Sequence, residues 1–317
     1  MALKLVALAG GVGGAKLAHG LARLEGAEEL TVVVNTGDDF VHLGLKICPD
    51  LDTVTYTLAG VANPETGWGR ADETWSFIAA LQELNGPTWF RLGDRDLATH
   101  VFRTHKLMNG YKLSAITKEI CESYGIQTRL LPMTDDTVNT IVQTSNGDLP
   151  FQEYFVARSC QPVVEGFYFE GVETAQPAPG VLESIQDADA VILCPSNPWV
   201  SLDPILAIPG IRDALMSKIV IGVSPIIQGR ALKGPAGKMF QELGIEPSAA
   251  AVAEHYQDLL TGFVLDIKDK DLAGEISNFG IEVKITDTMM TSDEKRLTLA
   301  EEILETIASR TMTEETQ

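Results

Sequence analysis

The chain is poor in cysteine and spaces it widely. Cys48, Cys121, Cys160 and Cys194 form no Cys-x-x-Cys pair. That spacing excludes a zinc ribbon or a disulfide framework and fits reduced thiols in a cytoplasmic protein. Basic residues are scarce too: 24 Lys and Arg face 44 Asp and Glu over 317 residues, a formal charge of −20. Nucleic acid is thereby disfavoured as a partner, because a phosphate backbone needs a basic face. No apolar run reaches the roughly 20 residues that cross a bilayer, and no signal peptide precedes Leu5, so we expect no membrane partner. A Gly-x-Ser-x-Gly elbow is missing, which leaves covalent catalysis without a motif. No Walker A pattern can be read either.

What the chain does have is glycine in the right place. Leu5-Val6-Ala7-Leu8-Ala9 runs directly into Gly10, Gly11, Gly13 and Gly14, and then into the amphipathic start of a helix. Strand, glycine turn and helix make an anion site, because the backbone can approach a phosphate and the helix start supplies N–H donors. The dinucleotide fingerprint is met only in part, since Lys16 stands where its third glycine would be. A phosphate site and a merely tight βα turn are both compatible with the loop alone.

An α/β rhythm follows. Buried-type strands are expected at residues 30–34, 188–194, 218–223, 263–266 and 281–285, with a further short strand at 250–253. Helices are expected at 53–58, with Asp50 or Asp52 as its cap, and at 73–84, 112–124 and 236–243. Short strands at 128–132, 138–144 and 151–157, extended by 163–180, predict a small antiparallel insert. The last helix is expected to open on a Thr291/Glu294 capping box and to fray from Arg310. The fold class is therefore α/β, a Rossmann-like, mostly parallel sheet with helices on both faces. Residues 1–125 and 181–317 form the core, 126–180 the β-rich insert and 310–317 a flexible tail.

Chemistry-bearing residues collect at the ends of these strands. Asn35-Thr36-Gly37-Asp38-Asp39 ends the second strand, and Asp50 and Asp52 follow closely. Carboxylates facing a phosphate repel it unless a hard cation intervenes, so Asp38, Asp39 and Asp50 are candidate Mg²⁺ ligands beside the loop of Gly11, Gly13, Gly14 and Lys16. Singly, each aspartate also fits an Asx turn or a helix cap. Arg91 and Arg95 offer guanidinium forks for phosphate or an aromatic ring, or surface ion pairs with Asp94 and Asp96. Ser196 and Asn197, between two prolines at a strand end, offer neutral hydrogen bonds or a turn. Lys233 and Gly234 form a second candidate phosphate loop. His19 and His42 have no catalytic or ligand partner at a recognisable spacing and read as structural.

Seven stretches in order resemble the 2-phospho-L-lactate transferase family of deazaflavin coenzyme F-420 biosynthesis. They are Gly10-Gly11-Val12-Gly13-Gly14-Ala15-Lys16, Asn35-Thr36-Gly37-Asp38-Asp39, Pro49-Asp50-Leu51-Asp52-Thr53-Val54, Gly67-Trp68-Gly69, Trp89-Phe90-Arg91-Leu92-Gly93-Asp94-Arg95-Asp96, Pro195-Ser196-Asn197-Pro198, and Ser224-Pro225-Ile226-Ile227 with Lys233-Gly234-Pro235-Ala236. The resemblance implies a Mg²⁺-dependent transfer of a phospholactyl-type group from a guanosine diphosphate-linked donor to the ribityl hydroxyl of the deazaflavin Fo, with GMP released. It also implies that Asp52 and Arg91 contact the acceptor, Asp52 orienting or deprotonating its hydroxyl. Gln228 departs from the pattern where glycine is expected beside Gly229, against a close-approach role for that loop. The resemblance leaves the acyl group open among phospholactate, phosphoenolpyruvate and phosphoglycerate, and the oligomeric state open, a homodimer included. Two other classes compete: a nucleotide-binding regulator of a related bacterial group, and an NAD-dependent oxidoreductase. The second is disfavoured because the second strand ends in Asn35-Thr36-Gly37 rather than in a single ribose-binding acid.

Overall fold

The protein is described by a computed structural model covering residues 3–25 and 29–314, with side chains to residue 310. Seven parallel strands carry the fold: β1 (Lys4–Ala9), β2 (Glu29–Val34), β3 (Arg129–Pro132), β4 (Ala190–Leu193), β5 (Ile219–Val223), β6 (Gly262–Asp266) and β7 (Glu282–Thr286). Their spatial order is β7-β6-β5-β4-β1-β2-β3. The chain thus winds outward one way from β1, returns, and winds the other way from β4. That reversal places a topological switch point between β1 and β4, where the loops leaving the two strands diverge and open a crevice. In register, Ala7 pairs with Val32 on one side and Ile192 on the other.

Strands buried on both faces explain the continuous apolar runs. Val6, Leu8, Val191 and Leu193 point to one face, while Leu5, Ala7, Ala9 and Ile192 point to the other. The second face is covered by α1 (Gly11–Leu21), α2 (Pro49–Leu58) and the long helix Asp293–Glu314. Gly20 lets α1 approach that last helix, since a Cβ there would collide with the Arg296 carbonyl. On the first face sits a three-stranded antiparallel sheet of Asn139–Thr144, Leu149–Pro150 and Val164–Glu170.

Several local expectations are corrected. Residues 128–132 do not belong to the antiparallel sheet; Arg129–Pro132 is the edge of the main one, paired in parallel with β2. The strand expected at 151–157 is helical, with Glu153–Ala157 forming a π turn, and the one at 250–253 lies in the helix Ala249–His255. Both are apolar runs too short for periodicity to tell strand from helix. The helix read at 53–58 starts at Pro49, whose fixed φ suits the first helical position, so Asp50 and Asp52 lie inside the first turn rather than capping it. The last helix is capped by Ser292, whose hydroxyl accepts from the Lys295 N–H, and not by Thr291. It continues to Glu314, and Arg310 is anchored to the Thr261 carbonyl at 2.6 Å; residues 315–317 of the expected tail lie outside the described residues.

Helix 73–84 is shorter than its periodicity predicts. α3 (Ser76–Glu83) buries none of its residues, and Trp75 and Leu84 at its ends are exposed. Each acid at this corner caps the other helix. Asp94, the first residue of α4 (Asp94–Met108), accepts from the Ser76 and Phe77 N–H groups at 3.0 and 2.9 Å, and Glu73 accepts from those of Arg95 and Asp96 at 2.8 Å each.

Candidate functional site

At the switch point the glycines are required by close approach. A Cβ at Gly13 would strike the Pro195 carbonyl, and one at Gly10 would lie 2.6 Å from both Asp50 Oδ2 and Ser201 Cβ. Ser196 locks the two loops together: its hydroxyl accepts from the Gly10 N–H at 3.2 Å and donates to the Gly10 carbonyl at 2.8 Å. Asn197 caps the turn that follows, accepting from the Trp199 N–H. Gly11 has a positive φ of 61° and nothing within 4 Å of where its Cβ would be. Beyond it, α1 presents first-turn N–H groups that have no helical partner.

Asn35 is the hub of the acids. Its Nδ2 stands 3.0 Å from Asp38 Oδ1, from Asp50 Oδ2 and from the Val200 carbonyl, and its Oδ1 accepts from the Gly37 N–H. An amide nitrogen carries two hydrogens. Three oxygens therefore compete for two protons, and the carboxylates are left short of donors. Asp50 also accepts from the Gly11 N–H at 2.7 Å, and Asp38 from Gln152 at 3.2 Å. Burial pushes the Asp38 carboxyl well above its ordinary range, with the Asp50 and Asp39 charges adding to it. Burial raises Asp50 to about 6 against the two hydrogen bonds it accepts. Donor-poor, mutually repelling carboxylates beside a glycine loop fit a hard cation.

Asp39 turns the other way. It is buried and pairs with Lys46 at 3.3 Å near the Cys48 thiol, yet neither of its oxygens has a donor in hydrogen-bonding geometry. Burial raises its pKa as well. The structure thus gathers Asp38 and Asp50 around one amide and sets Asp39 beside them.

Asp52 is not free. Arg103 of α4 grips both of its oxygens, one at 3.1 Å and the other at closer range, and His100 lies 3.6 Å away. Asp96 extends the network, 3.3 Å from His100 and accepting from the Tyr56 hydroxyl at 2.7 Å. Among the described residues, Asp52, Asp96 and His100 are the trio whose ligand atoms lie within 4.8 Å of one another. The guanidinium already neutralises Asp52, so the trio is a buried charge network rather than a vacant cage.

The outer wall is built differently. Lys233 donates to the Thr66 carbonyl, closing its loop over the turn at Gly67, and a Cβ on Gly67 would lie 2.7 Å from Val12. Lys16 on α1 has its pKa lowered by burial and then by the Arg296 and Lys233 charges. Arg91 is exposed and forms neither expected ion pair; its guanidinium lies over the Trp75 ring at 4.4 Å. Gln228 occupies the left-handed region at φ 49°, exposed at a hairpin tip, its N–H held by Asp269 at 3.0 Å. Phe40, His42, Trp89 and Phe90 form an aromatic cluster, with Phe40 edge-on to Phe90 at 4.9 Å.

Sequence reasoning missed Asn35 as a hub, Gln152 as an insert contact, and the Arg103–His100–Asp96 face. The last had a signal: Asp96, His100 and Arg103 recur at i, i+4 and i+7, a charged stripe on the buried side of α4. Gln152 had none, because it reaches Asp38 across 114 residues.

Comparison with known proteins places this geometry in context. The family model for 2-phospho-L-lactate transferase CofD matches residues 5–304. A phosphoenolpyruvate transferase of Thermobifida fusca is 46% identical over 94% of this chain and 96% of its own length. A 2-phospho-L-lactate transferase of Methanosarcina mazei is 38% identical over 95% of this chain and 99% of its own. A solved structure of a UPF0052 family member from Bacillus halodurans superposes with a TM-score of 0.58 at 12% identity, covering 90% of this chain and 93% of that one. At that identity the likeness is one of fold.

Proposed function

The chain belongs to the 2-phospho-L-lactate transferase family, and we propose that it moves a phosphoenolpyruvyl-type group from a guanosine diphosphate-linked donor to the ribityl hydroxyl of Fo, releasing GMP, with Mg²⁺ bound. The observation that carries the reading is the switch-point convergence. One amide gathers Asp38 and Asp50, and the N-terminal turn of α1 opens immediately beside them. Phosphoenolpyruvyl is favoured over phospholactyl because the relatives at 44–46% identity carry the phosphoenolpyruvate name and those at 38–39% the phospholactate name.

Attack of an alcohol on the donor's β-phosphorus forms one O–P bond and breaks the P–O bond to GMP. Such transfer needs positioning and charge neutralisation more than a covalent intermediate. Asp38 and Asp50 would hold Mg²⁺, which supplies neutralisation of the diphosphate charge. First-turn amides at Val12 and Gly13 cradle phosphate oxygens beside the open backbone of Gly11 and Gly14, the Gly11 N–H itself being taken by Asp50, while Lys16 and Lys233 contribute positive charge over them. The proton of the attacking hydroxyl leaves to water, because Asp39 is buried against Lys46 and Asp52 against Arg103. Asp52, bound to Arg103, fixes α2 and thereby Asp50, and Arg91 with Trp75 meets the acceptor at the outer wall. No observation favours the regulatory reading. Incubation with Fo, Mg²⁺ and each of the three guanosine-linked donors tests the proposal. GMP release with a mass-shifted Fo, fastest from the phosphoenolpyruvyl donor, is expected; absence of Fo binding and of GMP release would overturn it.

A further inference from the structure

The antiparallel insert meets the acids of the crevice at one loop. The Thr140 N–H donates to the Gly37 carbonyl at 2.5 Å. A Cβ on Gly37 would lie 2.7 Å from the Thr140 hydroxyl oxygen and 2.9 Å from Pro204, so glycine lets the insert close on the loop between Asn35 and Asp39. Beside that contact Gln152, 5% exposed, brings its side-chain amide to 3.2 Å from Asp38 Oδ2. Phe151, stacked on Phe155 at 5.4 Å, holds the backbone on one side of it, and on the other the chain enters the π turn Glu153–Ala157. A second π turn, Pro198–Leu202, supplies the Val200 carbonyl to Asn35. Such turns are frequent at functional sites, and here both abut the same pair, Asn35 and Asp38.

Two side-chain donors thus hold the Asp38 carboxylate, one on each oxygen. The Asn35 amide on Oδ1 is shared with Asp50 and the Val200 carbonyl, so it supplies only part of a hydrogen bond. Gln152 is the donor to Oδ2. Held at Oδ1 alone, the carboxylate is free to swing in the broad torsion about its Cβ–Cγ bond. Held at both oxygens, it keeps Oδ1 on the Asp50 side. Groups that hydrogen-bond a metal's ligands set the orientation of those ligands, and removing one typically costs about 10–100-fold in metal affinity.

We propose that Gln152 is a positioning residue for the transfer: it fixes the orientation of Asp38 towards Asp50, so that the insert sets the affinity of this seat for its divalent cation. The proposal rests on the cation reading of Asp38 and Asp50 above. Gln152 acts through Asp38 and takes no part in proton or phosphoryl transfer. Its chemistry suits the task. A carboxylate in its place would add repulsion, and an ammonium would neutralise the charge that the cation needs, whereas a neutral amide donates and leaves the charge of the seat unchanged.

The test compares Gln152→Leu, which keeps the bulk and removes the donor, with Gln152→Ala, which opens space towards a half-open pocket of about 200 Å³ lined by Asp38, Thr140 and Gln152. In the second variant a water donates to Oδ2 in place of the amide. Mn²⁺ binding in the presence of GDP is followed by the electron paramagnetic resonance of the free ion. Gln152→Leu is expected to lose about tenfold or more in Mn²⁺ affinity and Gln152→Ala about threefold. The weak GDP binding left in a chelator and the far-ultraviolet circular dichroism should not change. In turnover, the Mg²⁺ concentration for half-maximal rate should rise in the same order while the acceptor KM stays put. Gln152→Ala decides by the same comparison where Gln152→Leu does not fold. Wild-type Mn²⁺ affinity in the variants, even with a lowered thermal midpoint, would overturn the proposal and leave the cation reading intact. An unaltered protein that binds no Mn²⁺ with GDP, or binds it no better than Asp50→Asn, would remove both.

Discussion

The two walls of the crevice are held by different physics. The inner wall, from Gly10 through Asn35, Asp50 and Ser196, is buried and cross-bonded between loops far apart in sequence. The outer wall, from Gly67 to Arg91, buries nothing on its helix and exposes Trp68, Trp75 and Trp89. Its order comes from two carboxylate caps and two ring-stacked arginines, Arg91 on Trp75 and Arg70 on Tyr56 and Tyr124. The inner wall is ordered at the cost of crowding charge; the outer wall leaves apolar surface exposed. Inner-wall substitutions that add bulk or strand a buried charge should therefore destabilise the protein, whereas outer-wall substitutions should change ligand binding first.

The largest break should come from Arg103→Leu, which leaves Asp52 buried without its partner. Loss of a partner in a buried pair typically costs about 3–5 kcal/mol. Urea unfolding should show it, with partial recovery in the Asp52→Asn/Arg103→Leu double variant; full stability in the single variant would make the pair incidental. Gly13→Ala forces a Cβ into the Pro195 carbonyl and should cost about 1–3 kcal/mol together with nearly all activity. Outer-wall Trp75→Ala, by contrast, loses one cation–π contact worth about 0.5–1 kcal/mol. Calorimetry should register little, while the acceptor KM rises about tenfold and the donor KM stays put.

The inner wall should also answer to pH. Asp50 binds its proton more tightly in the folded chain, where its pKa is about 6, than in the unfolded one at about 3.9. A raised carboxyl pKa means that ionisation opposes folding. Stability without ligands should thus rise as pH falls from about 7 towards 4, by up to about 3 kcal/mol from this group, and level off below. Asp38 acts in the same direction. The pH trend of the thermal midpoint should flatten in Asp50→Asn. A wild-type midpoint that falls steadily on acidification from 7 to 5.5 would contradict the assigned crowding.

Legibility in the sequence followed the same divide. Contiguous signals were readable: the apolar runs of the parallel strands, the glycine turn after β1, and the acids after β2. What could not be read was set by tertiary neighbours. Asn35 looks like a turn residue until Val200 and Asp50 are folded against it, and Asp52 looks like a base until α4 brings Arg103. Arg129–Pro132 looks like the start of the insert because a four-residue edge strand carries no mark of the sheet it joins. The Glu153–Ala157 turn misled for a related reason, its Phe and Val residues favouring strand locally while packing decided otherwise.

The central claim is that Asp38 and Asp50 form one cation-dependent seat for the donor's diphosphate. Titration of GDP by calorimetry, with Mg²⁺ and with a chelator, tests it directly in the wild-type chain and in Asp50→Asn. Tight binding that needs both Mg²⁺ and Asp50, lost at least tenfold when either is removed, is the predicted result. GDP binding of equal strength in the variant and in the chelator would contradict it.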